Sequence, residues 1–442
     1  MGQAVKNQGL RRNLDLWAVI ALGLGSAMGV SIFSALGEAT RLAGTGLLVA
    51  VVVAALPMGF IAVAYAFMGT VLPTSGASYE WPRRYISPAV AFAVSWLRIA
   101  ANTGALVILA LVMTRYLAML VPVPEKLTMF LSFVVLGVAN LAGIGIASNV
   151  QKYMMGGLLC LFAVFCLSGL SGGEWQAERV TPLLGYGWMS VLAALPLLIN
   201  LFFGIESATE LGDEIADSRK TVARGIVLSI VSAVAVYLLV AVTCLGLLGA
   251  PALGLSTAPI VDAALVALGP YGKPLVVAAA LMAILKSMNG IFMVFSRSLY
   301  AMGRTGALPA VFARVHPRWN TPHIACLTVF ALATAGLLLP TELTFLFLAI
   351  GIPTLVKYFC ICLCARIALR ADPGLADGFG LSRAGVLWCS GIGACMAVGL
   401  VAVGFETDWR PYAALGIWGA LGAALYLFRR SGRQPGITTA SR

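Results

Sequence analysis

The first long apolar segment of the chain is interrupted by the stretch Gly23-Leu24-Gly25-Ser26-Ala27-Met28-Gly29-Val30-Ser31-Ile32-Phe33. Its first seven residues include three glycines, and each glycine in a helix interior costs about 1 kcal/mol relative to alanine. The stretch predicts either close packing of helices through small residues, which is common in membranes, or a helix that unwinds near its middle.

The sixth apolar segment contains a comparable interruption, Pro196-Leu197-Leu198-Ile199-Asn200-Leu201-Phe202-Phe203-Gly204-Ile205-Glu206-Ser207-Ala208. A proline, a glycine and a carboxylate here disturb an otherwise apolar helix. Corresponding breaks in two halves of a chain are typical of an inverted repeat, in which unwound backbone faces the membrane midplane. The second interruption therefore favours unwinding over simple close packing in the first.

The composition requires a bilayer around this chain. Hydrophobic residues make up 60% of it and charged residues only 10%, with a mean hydropathy of +0.96. A membrane-spanning helix needs about 20 mainly apolar residues, so the sequence predicts an all-α membrane protein with about twelve such helices. The predicted spans are 16–39, 44–69, 88–116, 127–146, 152–171, 188–211, 222–249, 273–301, 324–340, 343–365, 384–405 and 412–428.

The basic residues predict the orientation of these spans. Most of the 29 lysines and arginines fall in alternate loops and at both termini, and the intervening loops hold only Arg115, Lys126, Arg179, Lys273 and Arg410. By the positive-inside rule, both termini are expected in the cytoplasm. The net charge of +12 is thereby explained without nucleic acid, and the basic N-terminal segment is expected to stay attached because no leader cleavage site follows it.

Four motifs resemble the amino acid-polyamine-organocation transporter superfamily, over at least residues 15–370. They occur in the family's order, at comparable spacings and on the expected sides of the membrane. The motifs are Gly25 to Phe33; Pro73 to Tyr79 with Pro88 and Trp96; Phe203 to Glu206 with Asp213, Glu214 and Ser218 to Lys220; and Asn289-Gly290 with Ser296 to Pro309.

The resemblance implies a specific architecture and a mechanism. Helices one to ten are expected to form a 5+5 inverted repeat, with 15–171 as the first repeat and 188–370 as the second. Helices one and six would be broken, two additional helices would occupy 384–428, and 429–442 would be a cytoplasmic tail of the single domain 1–442. Transport would proceed by alternating access.

By resemblance, the two breaks would bind the substrate. Backbone N–H groups of Val30 and Ser31 would hold a carboxylate, and Gly29 would supply the backbone freedom. Carbonyl groups would receive an amine, namely those of Ala27, Asn200, Leu201 and Phe203. A continuous helix in this region is the alternative.

Further residues are candidates for the pocket and its gate. Many relatives have an aromatic residue at the Asn200 position, so Phe33, Phe202 or Phe203 is expected to close over the substrate instead. Asn102 is a candidate for lining the pocket, and its neighbour Arg98 is expected to pack against other groups. The acidic and basic run from Glu210 to Lys220 is interpreted as an inner gate or as a solvated loop end.

Two ionisable residues inside predicted spans are candidates for coupling, because such groups are costly in a membrane. Glu206 is interpreted either as a coupling group or as a structural hydrogen-bonding partner of unwound backbone. Some sodium-independent relatives replace a bound cation with a lysine from helix five, where this chain has Leu158. We expect Lys286 to take that place from helix eight, and proton uptake or release by its amine is left open. A long stem that reaches a polar cavity or a loop would also explain this lysine. The latter interpretation is preferred for Lys357.

The sequence therefore favours secondary active uptake or exchange of small, neutral amino acids without sodium, across the cytoplasmic membrane. A polyamine, ethanolamine-like or basic amino acid carrier is the alternative, and a non-transporting amino acid receptor would use the same pocket. Protons and membrane lipid are the other expected partners, and both a monomer and a homodimer remain open. No catalytic set, nucleotide-binding loop or metal motif is recognised, so neither an enzyme nor a cofactor is expected.

Overall fold

The computed structural model describes residues 14–29, 31–256, 258–338, 343–377, 379–407 and 409–431. Within these ranges the chain is built from α-helices joined by short turns, and its extended pairs are the isolated bridges Leu14 with Ile215 and Ser75 with Leu211. The helices are α1 (Leu16–Ala27), α2 (Ser31–Ala43), α3 (Leu47–Val71), α4 (Ala77–Tyr85), α5 (Pro88–Ala118), α6 (Glu125–Leu141), α7 (Ile144–Ser171), α8 (Gly187–Leu198), α9 (Ser218–Leu255), α10 (Pro259–Leu268), α11 (Gly272–Arg304), α12 (His323–Gly336), α13 (Leu343–Ala371), α14 (Arg383–Thr407) and α15 (Arg410–Ser431).

Within the described ranges, every predicted span overlaps one of these helices or a broken helix, and residues 339 and 340 of the span 324–340 lie outside those ranges. In the described ranges, eight helices are long and apolar enough to cross a membrane, or nine if one bent pair counts as a single span, and α1 and α12 are shorter apolar helices. The prediction of an all-α membrane protein is confirmed. The division into repeats at 15–171 and 188–370 stays a prediction.

The first break separates α1 from α2. Met28 caps α1 outside the helical region of backbone space, and the Gly29 N–H donates to the Ala27 carbonyl at 2.8 Å. The Gly25 carbonyl, which the Gly29 N–H would reach in a continuous helix, is thus left for a side chain. Val30, one of the predicted ligands, lies outside the described residues.

The second break follows α8. A 3-10 turn over Ile199–Phe202 leads into extended backbone at Phe203, after which Gly204 has a positive φ of 98° and begins a second 3-10 turn, Ile205–Glu210. The two halves are bent by 49°. A side chain at Gly204 would be strained at this φ, and its Cβ would lie 3.0 Å from the Cβ of Ser26. The two breaks therefore lie against each other.

Several elements hold the broken helices in place. α1 packs against α7, α9, α11 and the turn Ile205–Glu210, while α11 packs against α5 and α7. At the chain's N-terminal end, the Leu14 N–H donates to the Glu214 carbonyl at 2.9 Å. The broken helices are consequently enclosed by α5, α7, α9 and α11.

Candidate functional site

A cavity of about 160 Å³ lies between the two breaks. Its lining combines small and polar residues from the breaks with an apolar wall from α5, α11 and α13. The lining residues are Ser26, Ala27, Gly29, Ser31, Ala105, Ile108, Leu109, Asn200, Phe203, Ser287, Ile291, Ile350 and Gly351. None of these residues carries an ionisable side chain, so the cavity presents backbone dipoles, hydroxyl groups, an amide and hydrocarbon.

Five of the predicted substrate residues are brought together in this lining. Ala27 ends α1, Gly29 lies in the first break, Ser31 begins α2, and Asn200 and Phe203 belong to the second break. The sequence found them because glycine and polar residues interrupt apolar runs at both places. Ser31 and Asn200 both make interactions within the protein.

Other predicted residues lie elsewhere. Asn102 is buried on α5 but is absent from the cavity lining. Leu201 is also absent, and its carbonyl accepts a hydrogen bond from the Tyr237 hydroxyl at 2.8 Å. That contact competes with the predicted use of this carbonyl for a substrate amine.

The two predicted gating rings also pack away from the lining. Phe202 is fully buried and its ring meets the ring of Tyr237 edge to face, with centroids 5.6 Å apart. Phe33 is buried against Tyr116 and Phe162. Phe203, which the sequence offered as an alternative gate, is the aromatic residue that lines the cavity.

Sequence reasoning missed two hydroxyl groups and the hydrocarbon wall. The Ser26 hydroxyl is buried without a hydrogen-bonding partner in the part of the chain described. The Ser287 hydroxyl has two carbonyl acceptors within reach of its single hydrogen, those of Gly25 and Ala283, at 2.8 and 2.9 Å. Ser26 lies inside the glycine-rich stretch and Ser287 directly follows Lys286, so both hydroxyl groups could have been proposed from the sequence. The hydrocarbon wall carried no such signal, because its Ile and Leu residues in α5, α11 and α13 cannot be distinguished by sequence from residues that face lipid.

Lys286 connects α11 to the first break. Its fully buried ammonium donates to the carbonyls of Gly25 and Met28, at 2.8 and 2.6 Å. These carbonyls belong to the C-terminal end of α1, where unpaired acceptors and the negative end of the helix dipole favour a cation. The structure thus places the Lys286 amine between α1 and α11, while Leu158 on α7 is buried and apolar.

An amide network supports α11 beside Lys286. The Asn289 side chain donates to the Ala147 carbonyl and to the Gln151 side chain, at 2.9 and 3.1 Å. Asn140 donates to Asn289 at 2.9 Å, and Gln151 donates to the Ala21 carbonyl at 3.3 Å. These contacts fix α6, α7, α11 and α1 relative to one another.

Glu206 is bound by two residues of α13. One carboxylate oxygen lies 2.6 Å from the Lys357 ammonium, and the other accepts a hydrogen bond from the Tyr358 hydroxyl at 2.9 Å. The prediction that Lys357 reaches a polar cavity or a loop was wrong, because its side chain is buried in this ion pair. Arg98 donates to the Thr354 hydroxyl at 2.8 Å, which agrees with its expected packing role.

Ion pairs also join several elements at the predicted cytoplasmic end. Arg297 and Glu214 form a buried bidentate pair, with contacts of 2.8 and 3.2 Å. Arg304 lies 3.4 Å from Asp213 and 3.5 Å from Glu80. The acidic residues after the second break are therefore held by ion pairs. This arrangement disagrees with the interpretation of the run as a freely solvated loop end, and the interpretation as an inner gate stays a prediction.

Over the described ranges, no group of three or more His, Cys, Asp or Glu side chains could hold a metal ion. All nine cysteines are free thiols. His316 stacks on Trp319, with ring centroids 4.3 Å apart, and lies edge to face with His323.

Comparison with known proteins finds membrane transporters among the relatives of this chain. An uncharacterized transporter of Mycobacterium tuberculosis (strain ATCC 25618 / H37Rv) is 30% identical over 326 residues, which cover 74% of this chain and 73% of the relative. The branched-chain amino acid permease BcaP of Bacillus subtilis (strain 168) is 22% identical, covering 94% and 92%. A methylthioribose transporter of the same organism is 23% identical, covering 72% of each.

The family assignment rests on nearly the whole chain. The sequence model described as amino acid permease matches residues 14–421, a range that includes both breaks, the cavity and the three ionisable side chains Glu206, Lys286 and Lys357. Its relatives are membrane transporters, not enzymes. The chain is therefore an integral membrane protein of the amino acid permease family.

Proposed function

We propose that this protein is a secondary transporter of small neutral amino acids, which bind between its two broken helices and cross the membrane by alternating access. The observation that carries the proposal is the cavity itself, which meets both breaks and has no ionisable side chain in its lining. A site of this kind suits a zwitterion, whose two charges can be met by backbone groups at helix ends.

The break in the first helix supports binding of the substrate carboxylate. α2 begins at Ser31, and the first N–H groups of a helix have no partner within that helix. The positive end of the helix dipole adds to their attraction for an anion. In this proposal Ser31 contributes its backbone and hydroxyl, and Val30 contributes its N–H group.

Carbonyl groups of the second break support binding of the amine. Asn200 lies within a 3-10 turn and Phe203 follows it directly, and both residues line the cavity. Ala27 supplies a carbonyl from the first break, and the Ser26 hydroxyl is an additional acceptor. The ammonium group would therefore be shared between both broken helices.

The apolar wall supports an aliphatic side chain on the substrate. Ala105, Ile108 and Leu109 of α5 face Ile291 of α11 and Ile350 of α13 across the cavity. Hydrocarbon of this kind gains about 25 cal/mol for each Å² of apolar substrate surface removed from water. A relative named as a branched-chain amino acid permease agrees with that preference.

Lys286 supports sodium independence. Its ammonium is bound by carbonyls of Gly25 and Met28, which hard cations such as sodium would also use as ligands. A tethered positive charge there leaves no net attraction for a second cation. In this proposal the energy comes from the substrate gradient, an exchanged solute or protons.

Reconstituted protein provides the test. Liposomes preloaded with unlabelled amino acids would be given labelled neutral, basic and acidic amino acids and polyamines, with sodium replaced by potassium in parallel samples. We expect saturable uptake of neutral amino acids that is equal in both salts and is lost in Ser31→Trp. Leu421→Trp, on the exposed face of α15, is the matched control and should retain uptake.

Three outcomes would contradict parts of the proposal. Uptake that requires sodium while Lys286 is intact would exclude the role assigned to this lysine. Flux confined to basic amino acids or polyamines would exclude neutral substrates. Binding of neutral amino acids without any flux would identify a receptor instead of a carrier.

A further inference from the structure

The Lys357 ammonium occupies an environment that resembles a binding site for an amine ligand. It lies 2.6 Å from Glu206 Oε1, 5.6 Å from the centroid of the Tyr65 ring and 4.9 Å from that of Tyr358. A carboxylate with aromatic rings around a cation is the arrangement that recognises ammonium groups of ligands. All four side chains are buried.

This ammonium site is next to the substrate cavity. Phe203 lines the cavity, and its ring meets the ring of Tyr358 edge to face, with centroids 5.8 Å apart. The next residue, Gly204, donates its N–H to the Tyr358 hydroxyl at 3.3 Å, and that hydroxyl donates to Glu206. Two aromatic side chains, Phe203 and Tyr358, thus connect the cavity wall to the carboxylate.

We propose that Lys357 is a specificity residue that fills this ammonium site with the protein's own cation and thereby excludes substrates with a second positive charge. The inference rests on the proposed transport of neutral amino acids and deepens it. A basic amino acid or a diamine would need a carboxylate near the apolar wall, and Glu206 already has both oxygens occupied. Arg98, which contacts Thr354 one turn before Lys357 on α13, adds further positive charge.

A purely structural role for the pair is the competing explanation. The pair joins residues 151 positions apart in the sequence, so it also fastens the second break to α13. Both roles predict that a variant without Lys357 is less stable, because an unpaired carboxylate remains buried. They differ in whether a free amine can replace the missing side chain.

Amine rescue is the first test. Purified Lys357→Ala would be heated in detergent with increasing ethylammonium chloride, and with potassium chloride at equal ionic strength. We expect ethylammonium to raise the unfolding temperature of this variant, since a ligand that binds the folded state stabilises it. Wild-type protein, Lys220→Ala, whose lysine is exposed, and Lys357→Ala/Glu206→Gln should show no such rise.

Each result of the rescue experiment supports or overturns the proposed ammonium site. A Lys357→Ala protein that is purified only with ethylammonium present also supports an ammonium site. The inference is overturned if potassium chloride stabilises this variant equally, if the double variant responds as strongly, or if Lys357→Ala fails to fold with and without the amine.

Substrate competition tests the exclusion itself. In liposomes, the ratio of lysine uptake to leucine uptake should rise at least about tenfold in Lys357→Ala, because a buried polar site strongly favours the ligand that satisfies it. The ratio should return to the wild-type value in the double variant. An unchanged ratio in Lys357→Ala would overturn the selectivity role. Wild-type protein without neutral amino acid flux would contradict the proposed function instead, and the rescue is measured without flux.

Discussion

Gly351 lines the cavity on α13, and a Cβ built on its backbone would meet no heavy atom within 4 Å. The space beside it therefore belongs to the cavity, not to a neighbouring side chain. If the substrate binds in this cavity as proposed, a residue in this position limits how large a substrate side chain the apolar wall can accept. Gly399 on α14 also has nothing within 4 Å, yet it lies outside the cavity lining.

Replacing Gly351 by leucine should change the size preference of the transporter. The added side chain would occupy part of a cavity of about 160 Å³, so we expect leucine and isoleucine uptake to fall by about tenfold or more while alanine uptake persists. Competition assays in liposomes would measure this. Gly399→Leu is the control, and an equal loss for alanine and leucine would contradict a size filter.

Replacing Lys286 by methionine should destabilise the protein. The volume of the side chain is nearly conserved, but the Gly25 and Met28 carbonyls lose their ammonium donor. A buried acceptor left without a partner costs about 1–3 kcal/mol. We expect a lower unfolding temperature and no transport, with Lys273→Met at the start of the same helix as control. A variant as stable as wild type would show that these contacts are dispensable.

Some roles of single residues could be predicted from the sequence and others could not. Lys286 and Glu206 were recognised because a charge in an apolar span is costly. The partner of Glu206 was not recognised, because Lys357 lies 151 positions away and only the packing of α13 against the second break brings them together. Ser31 was a candidate because it belongs to the glycine-rich stretch, whereas the wall residues carried no distinctive signal.

At the scale of elements, the predicted spans agree with the helices because hydropathy directly reflects the bilayer. The breaks were found because glycine and polar residues are unfavourable in the middle of a spanning helix. The short helices α4 and α10 were not predicted as separate elements, since their apolar patterns are too short to distinguish them from loops. The attachment of α15 to α5 also could not be predicted, because it depends on contacts between residues that are far apart in the sequence.

α15 is held to α5 by two tryptophans. Trp96 and Trp418 stack with ring centroids 4.8 Å apart, and each indole N–H donates to the other's carbonyl at 2.8 Å. A Cβ at Gly422 would lie 2.3 Å from the Trp96 ring. The close approach of the two helices therefore requires a small residue at this position.

Gly422→Val should consequently loosen α15. Overpacking of this kind costs about 1–3 kcal/mol, so we expect a lower unfolding temperature in detergent with the cavity and its substrate affinity retained. Gly416→Val is the matched control on the same helix, because nothing lies within 4 Å of its Cβ position. Equal stability of the two variants would show that α15 does not depend on this contact.

At the scale of the whole molecule, ionic contacts between separate elements concentrate at the predicted cytoplasmic end. Arg297 joins Glu214, Arg304 joins Asp213 and Glu80, and Lys152 joins Asp15. On the side of the molecule that is predicted to face away from the cytoplasm, the described ion pair of Glu38 with Arg41 lies within a single helix, α2. In the described ranges these ion pairs therefore join separate elements at the end that is predicted to face the cytoplasm.

Weakening these contacts should favour opening at that end. Arg304→Gln removes the partly exposed contacts to Asp213 and Glu80 while leaving the buried Arg297 pair intact. We expect faster backbone hydrogen exchange over 205–214 and 75–80, with Arg318→Gln, an exposed loop residue, as control. Unchanged exchange in Arg304→Gln would mean that Arg304 does not hold this end closed.

The position of Lys286 at the C-terminal end of α1 also affects how transport should respond to the membrane voltage. A sodium ion that travelled with each zwitterion would carry one charge across, which is worth about 2.3 kcal/mol for every 100 mV. The Lys286 ammonium never leaves the protein, so a cycle that moves only a zwitterion is electroneutral. If the substrate gradient or an exchanged neutral solute supplies the energy, a membrane voltage imposed with potassium and valinomycin should leave net flux unchanged. Flux that follows the voltage would instead identify a co-transported ion, such as a proton.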